Sequence, residues 1–149
     1  MQSSPWSSLL FALVFAGTWL CIGGLLAWAA GWPALAARFR RTGPVEGERF
    51  GAVSGSMIAA GSLPVGYRGT LWLVLGPGGF GLSVSFPFRF MSPPLFIPWA
   101  AVESVSRRRR WFVDSAEVRL RGLPNRINIS GKAGQRLLAA YLGGTRAAQ

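Results

Sequence analysis

The sequence predicts one N-terminal transmembrane helix followed by a mainly-β domain, about seven strands in a curled sheet or barrel, with a C-terminal amphipathic helix. Three observations carry this prediction. No charged side chain occurs before Arg38, and Ser8–Ala30 is apolar almost without interruption. From Phe80 to Phe90 the even positions are Phe, Leu, Val, Phe, Phe, Phe and the odd ones are small, polar or proline, a period of two that belongs to a strand. Near the C-terminal end Leu137, Leu138, Tyr141 and Leu142 recur at helical spacing,.

The apolar run meets the roughly 20 residues needed to cross about 30 Å of hydrocarbon. Trp6 precedes it and Trp28 and Trp32 close it, as an interfacial aromatic belt would. Trp19, in mid-span, is expected to face lipid or a partner helix. Ala27-Trp28-Ala29 resembles a small-x-small cleavage site. However, no basic residue precedes the run, and its core exceeds the about 7–15 apolar residues of a secretory signal. An uncleaved anchor is therefore the reading. Arg38, Arg40 and Arg41 follow the span and nothing basic precedes it, so the positive-inside rule puts the C-terminal bulk in the cytoplasm,. Gly23, Ala27 and Gly31 form a small-xxx-small stripe that can pack two anchors into a homodimer,.

After Gly31-Trp32-Pro33 the stretch PALAARFRR predicts a short interfacial helix,. Residues 1–41 thus form the anchor with its juxtamembrane helix, 42–48 a linker, and 49–149 the β domain. Arg49–Ile58 supplies a first strand, weakened by glycines. TLWLVLG and Phe80–Phe90 make a hairpin around Pro77-Gly78-Gly79,. Pro87 removes one ladder donor, so the second strand should bend there or lie at an edge. LFIPW, VESVSRRR, AEVRLRG and RINIS supply the remaining strands, with a turn at Asp114-Ser115. Ser130 can cap the final helix, and Gly143 is expected just past its end.

The composition argues against catalysis. The 149 residues hold sixteen basic and five acidic side chains, a net charge of +11, and no histidine. Fifteen of the basic residues are arginine, which points to anionic partners,, although a GC-rich genome also inflates arginine. Cys21 lies inside the apolar run, and the acids Glu46, Glu48, Glu103, Asp114 and Glu117 follow no metal or acid/base spacing. The chain is read as a non-enzyme with no metal and no cofactor. GPGGFG lies between strands and lacks the Lys-Ser/Thr pair of a phosphate loop, so it is a turn,.

At LFIPWAAVESV the sequence resembles bacterial pleckstrin-homology-like and GRAM-like domains. YRGTLWLVL, GFGLSVSFPFRF and PPLFIPW together resemble small membrane-anchored proteins of proteobacteria. The likeness covers about Arg49 to Leu142. It implies a curled sheet with a terminal helix and an inner-membrane location, but the pattern supplies no ligand residues to carry across.

The run SRRRRWF concentrates charge on one hairpin. With the turn at Asp114-Ser115, Arg110 falls opposite Arg119 and Arg108 opposite Arg121, and like charges so opposed destabilise a sheet. A register slip sends Arg107 and Arg109 to that face instead. An anion across these guanidinium groups reverses the sign, which makes Arg107, Arg108, Arg109, Arg110, Arg119 and Arg121 candidates for anionic lipid. The plain alternative is a solvated hairpin end. Nucleic acid is not expected, because no recognition motif accompanies the charge. The function expected is a binding or scaffolding module at the membrane surface. The alternative is an accessory subunit that recruits another membrane protein through a sheet edge or the Phe-rich strand, where Phe86, Phe88, Phe90 and Trp99 either line a groove or fill the core.

Overall fold

The computed structural model describes residues 4–86 and 88–147. Helix α1 (Pro5–Ala29) is 25 residues long, about 37 Å at 1.5 Å per residue, and it is long and apolar enough to cross a membrane. Pro5 occupies its first turn, where no amide donor is required, and Ser4 Oγ accepts from the Trp6 amide at 3.3 Å.

The helix ends at a corner that only glycine can make. Gly31 has φ +75°, and a Cβ there would collide with Asn125 and Ala59. Buried Asn125 donates Nδ2 to Gly31 O at 3.4 Å. Helix α2 (Trp32–Phe39) then enters the domain. Trp32 and Leu35 are fully buried, and Trp32 Nε1 donates to Pro93 O at 2.9 Å. The Trp32 ring lies 6.3 Å from that of Tyr67, whose pKa burial raises to about 12. Leu35, expected on the apolar face of this helix, packs into the domain. The apolar face of α2 serves the protein core, because a half-barrel leaves apolar surface that needs a cover.

Seven strands follow: β1 (Glu48–Ile58), β2 (Val65–Leu75), β3 (Gly79–Val84), β4 (Leu95–Pro98), β5 (Val102–Arg110), β6 (Val113–Leu120) and β7 (Arg126–Ser130). They form one antiparallel sheet in the order β4-β3-β2-β1-β7-β6-β5. β1 pairs with β2 on one side and β7 on the other, and its register shifts between Phe50 and Val53, where Ala52 takes φ 51°. Such a bulge bends a strand and increases its twist, which curls the sheet into a half-barrel.

Helix α3 (Gly131–Ala147) covers the sheet. It approaches β7 so closely that a Cβ at Gly134 would collide with Ile129 O. Leu137 is fully buried, with Leu138 and Tyr141 packed against the core. A bidentate pair from Arg136 to Glu48, at 2.9–3.2 Å, ties α3 to β1.

Three expectations are corrected. The strand beginning at Phe80 stops at Val84, and Phe88–Met91 forms a 3-10 turn. Beyond Val84 the next donor, Ser85 N, bonds Thr70 O, just past Gly69 with its φ of +63°, and the ladder continues no further. The expected bend at Pro87 lies outside the described residues. α3 runs through Gly143, and Leu142 remains 47% exposed instead of joining the buried stripe. The β5–β6 turn falls at Trp111-Phe112, with Arg110 paired to Val113. Trp111 supplies the positive φ, 59°, that a two-residue hairpin turn requires,.

Burial of α2 has a measurable consequence. Leu35→Ala should cost about 3 kcal/mol of stability, whereas Leu142→Ala should cost less than about 1 kcal/mol. Denaturant unfolding of the full chain in detergent, followed by tryptophan fluorescence, checks both.

Candidate functional site

The corrected register changes the electrostatics of the basic hairpin. Arg107 to Arg110 face Ala116, Ser115, Asp114 and Val113, and Arg119 faces Ser104, so no two arginines of the β5–β6 ladder are opposed. Arg107 Nη2 lies 2.8 Å from Asp114 Oδ2. Glu117, buried, receives Arg108 Nε at 3.3 Å and Arg119 Nε at 3.1 Å. Arg121 Nε donates to Val102 O at 3.4 Å. Of the six candidates, Arg109 and Arg110 alone have no protein partner among the described residues. Beside them Trp111 and Phe112 are 85% and 90% exposed.

Asp114 shows the strength of this internal pairing. The hydrogen bond from Arg107 lowers its pKa, partial desolvation opposes, and the charges of Arg107 and Arg109 lower it further. Its second oxygen, Oδ1, is out of solvent and without a partner among the described residues.

The hairpin also stands far from the end of α1. The β6–β7 connection meets the end of α1 through Asn125, and Trp111-Phe112 lies at the opposite end of β6. Seven residue steps along β6 at about 3.3 Å give roughly 23 Å of separation, against a Debye length of about 8 Å.

A second basic cluster follows α1 in the chain, at and after the end of α2. Arg38, Arg40 and Arg41, at the end of α2 and just after it, line a groove of about 640 Å³ with Glu46, Phe39 and Phe96. Arg41 also lines an adjoining groove of about 510 Å³ with Arg49, Arg89, Trp72 and Phe86. Trp72 is held by its Nε1 donating to Ser85 Oγ at 2.8 Å. The second groove contains no acidic residue. None of these five arginines has a carboxylate within 4.0 Å among the described residues. Arg49 and Arg89 escape the sequence reading because β1, the 3-10 turn and the segment after α2 meet only in the folded chain.

The other singled-out residues separate cleanly. Trp6 and Trp28 are exposed on α1, while Trp32 is a core residue and not part of a surface belt. Ala27 and Gly31 are buried, and Gly31 lies against the chain's own domain, leaving Gly23 open. Trp99 is partly buried between Phe80 and Tyr141, with its indole donating to Gly76 O at 3.3 Å. Phe86 and Phe90 are exposed. Among the described residues no three His, Cys, Asp or Glu side chains gather as a metal site requires.

The Asp114 carboxyl should titrate below its ordinary value of about 3.8, and Arg107→Ala should raise the midpoint. Because the folded value is the lower one, the pair's contribution to stability is complete at neutral pH. It fades as pH falls through the depressed value. Carboxyl-carbon NMR of the folded chain measures this, and a midpoint indifferent to Arg107→Ala would contradict the assignment.

No family model matches the chain, and no curated protein does. Among solved structures, the crystal structure of the C-terminal domain of an unknown protein from Leishmania infantum is similar over 81% of this chain and 98% of that one. Its identity to this chain is 12% and the TM-score is 0.43.

Proposed function

We propose that the chain is a non-catalytic, single-pass protein of a bacterial inner membrane. In this reading its cytoplasmic β domain is a surface module seated on anionic lipid through the juxtamembrane grooves. The observation that carries the proposal is Arg41, Arg49 and Arg89 around one groove, with apolar walls from Trp72 and Phe86 and no acid. Guanidinium groups pair bidentately with phosphate, and the apolar wall suits the start of an acyl chain. Each basic residue at such a surface contributes about 1 kcal/mol. The flanking charge, with Arg38, Arg40 and Arg41 after the span, favours the cytoplasmic side,.

The pleckstrin-like reading of the domain belongs to this proposal and rests on the order of its elements, seven antiparallel strands and then a helix. The non-catalytic reading is supported by carboxylates already engaged: Glu117 by two arginines, Asp114 by Arg107, Glu48 by Arg136. One further observation favours a partner protein. The outer half of β5, Ser106–Arg110, is an exposed edge of the sheet, open to an acidic strand.

Flotation of residues 31–149, which retain α2, on mixed phosphatidylcholine and phosphatidylglycerol vesicles tests the proposal. Binding should require the anionic lipid and be lost at high salt. Replacing Arg41, Arg49 and Arg89 by Gln should remove about 3 kcal/mol, on the order of a hundredfold. Arg109→Gln with Arg110→Gln should change little. Binding carried by the hairpin pair, or indifferent to anionic lipid, would overturn it.

A further inference from the structure

The 3-10 turn Phe88–Met91 does not rest on the β domain alone. Phe88 lies with its ring centroid 5.3 Å from that of Trp19 on α1. A Cβ on Gly24, one and a half turns nearer the domain, would stand 3.1 Å from Met91 Cε. The turn therefore climbs the side of α1. Its outward side chains are apolar, with Phe86 79% and Phe90 75% exposed.

The length of α1 decides where this places the turn. Trp19 is ten residues from Ala29, about 15 Å along the axis. Were the bilayer to end before Trp19 is reached, only Pro5–Thr18 would remain inside it. Those 14 residues reach about 21 Å, too short for about 30 Å of hydrocarbon. A full span of about 20 residues puts the domain-side boundary between Gly24 and Ala29. Trp19 then lies on the order of 10 Å inside, and Phe88 lies with it.

We infer that Phe86, Phe88, Phe90 and Met91 form a second membrane-inserted element, dipping into the acyl layer alongside the anchor. This rests on the reading that α1 spans a bilayer. The local chemistry suits that depth. Phe88 N donates to Ser85 O at 3.0 Å and Ser92 N to Arg89 O at 3.3 Å, which satisfies amides that hydrocarbon would leave unpaired. Arg89, the one charge in the turn, lines the groove shared with Arg41 and Arg49, so its guanidinium reaches back to the headgroup layer while its stem stays apolar. At a shallower level, Leu63 of the β1–β2 connection stands beside Leu25 and Leu26. Depths of roughly 5–10 Å are those of interfacial insertion, so the turn sits as a wedge in one leaflet.

The full chain with Cys21→Ala, reconstituted in mixed phosphatidylcholine and phosphatidylglycerol vesicles, carries a bimane probe at Phe90→Cys, at Val14→Cys or at Phe112→Cys. Lipids brominated on the acyl chain should quench the Phe90 and Val14 probes by roughly twofold or more, as expected of groups within the acyl layer. Aqueous iodide should quench only the Phe112 probe. Val14 quenched by lipid with Phe90 open to iodide would overturn the wedge and leave the span intact. A Val14 probe that bromolipid does not quench would overturn the span itself, and the wedge with it.

Discussion

The structure depends on the burial of Trp32 one residue past a glycine corner. A transmembrane helix joined to a domain by a flexible linker fixes little beyond proximity. Here Gly31 turns the chain at φ +75° and Asn125 holds its carbonyl. Trp32 is then driven into the core, with its indole hydrogen-bonded to Pro93 O. Fully burying an aromatic of this size is favourable by several kcal/mol. The first junction after α1 is therefore the Gly31 corner, and residues 42–48 follow α2. Its neighbours Arg40 and Arg41 are already tied to the segment around β4, through a bridge to Leu95 and a bond from Arg41 N to Pro94 O.

That constraint sorts the positive charge into two populations. The hairpin arginines are the denser cluster in sequence, yet Asp114 and Glu117 on β6 already pair with Arg107, Arg108 and Arg119. Arg109 and Arg110, at the end of β5, sit at the tip of the hairpin away from the Gly31 corner. The groove arginines are scattered in sequence and adjacent in space, with no carboxylate in the second groove to answer them. The groove arginines, without a carboxylate partner among the described residues, carry the lipid reading better than the run of four, in which Arg107 and Arg108 are paired and stand away from α1. Phe88 on Trp19 belongs to the same geometry, since the corner at Gly31 sets how the domain meets the side of α1.

Much of the fold was legible because its signals are local. The charge-free run marks α1, the apolar stretch TLWLVLG marks β2, the alternation from Phe80 marks β3, and the Leu137 stripe marks α3. The errors have physical causes. Alternation continued past Val84 in sequence, but the ladder did not, and Phe88 found an apolar partner on α1 instead. The hairpin turn was misplaced because Trp111-Phe112 lacks the Asn or Gly that usually supplies a positive φ,. The amphipathic face of α2 was read correctly, but pattern alone cannot say whether such a face meets lipid or protein. The candidate groove was the least legible part: Arg41 stood out by its place after the span, whereas Arg49 and Arg89 join it only through tertiary structure.

The central claim is mechanical coupling of α1 and the β domain through the Gly31–Trp32 corner. Electron–electron double resonance on the full chain in lipid bilayer discs tests it, with one spin label on Cys21, exposed on α1, and one at Leu142→Cys, exposed on α3. A single narrow distance distribution, broadened when Trp32→Ala empties the corner, is the expected result. A distribution already broad in the parent chain, as a flexible tether gives, would contradict the account.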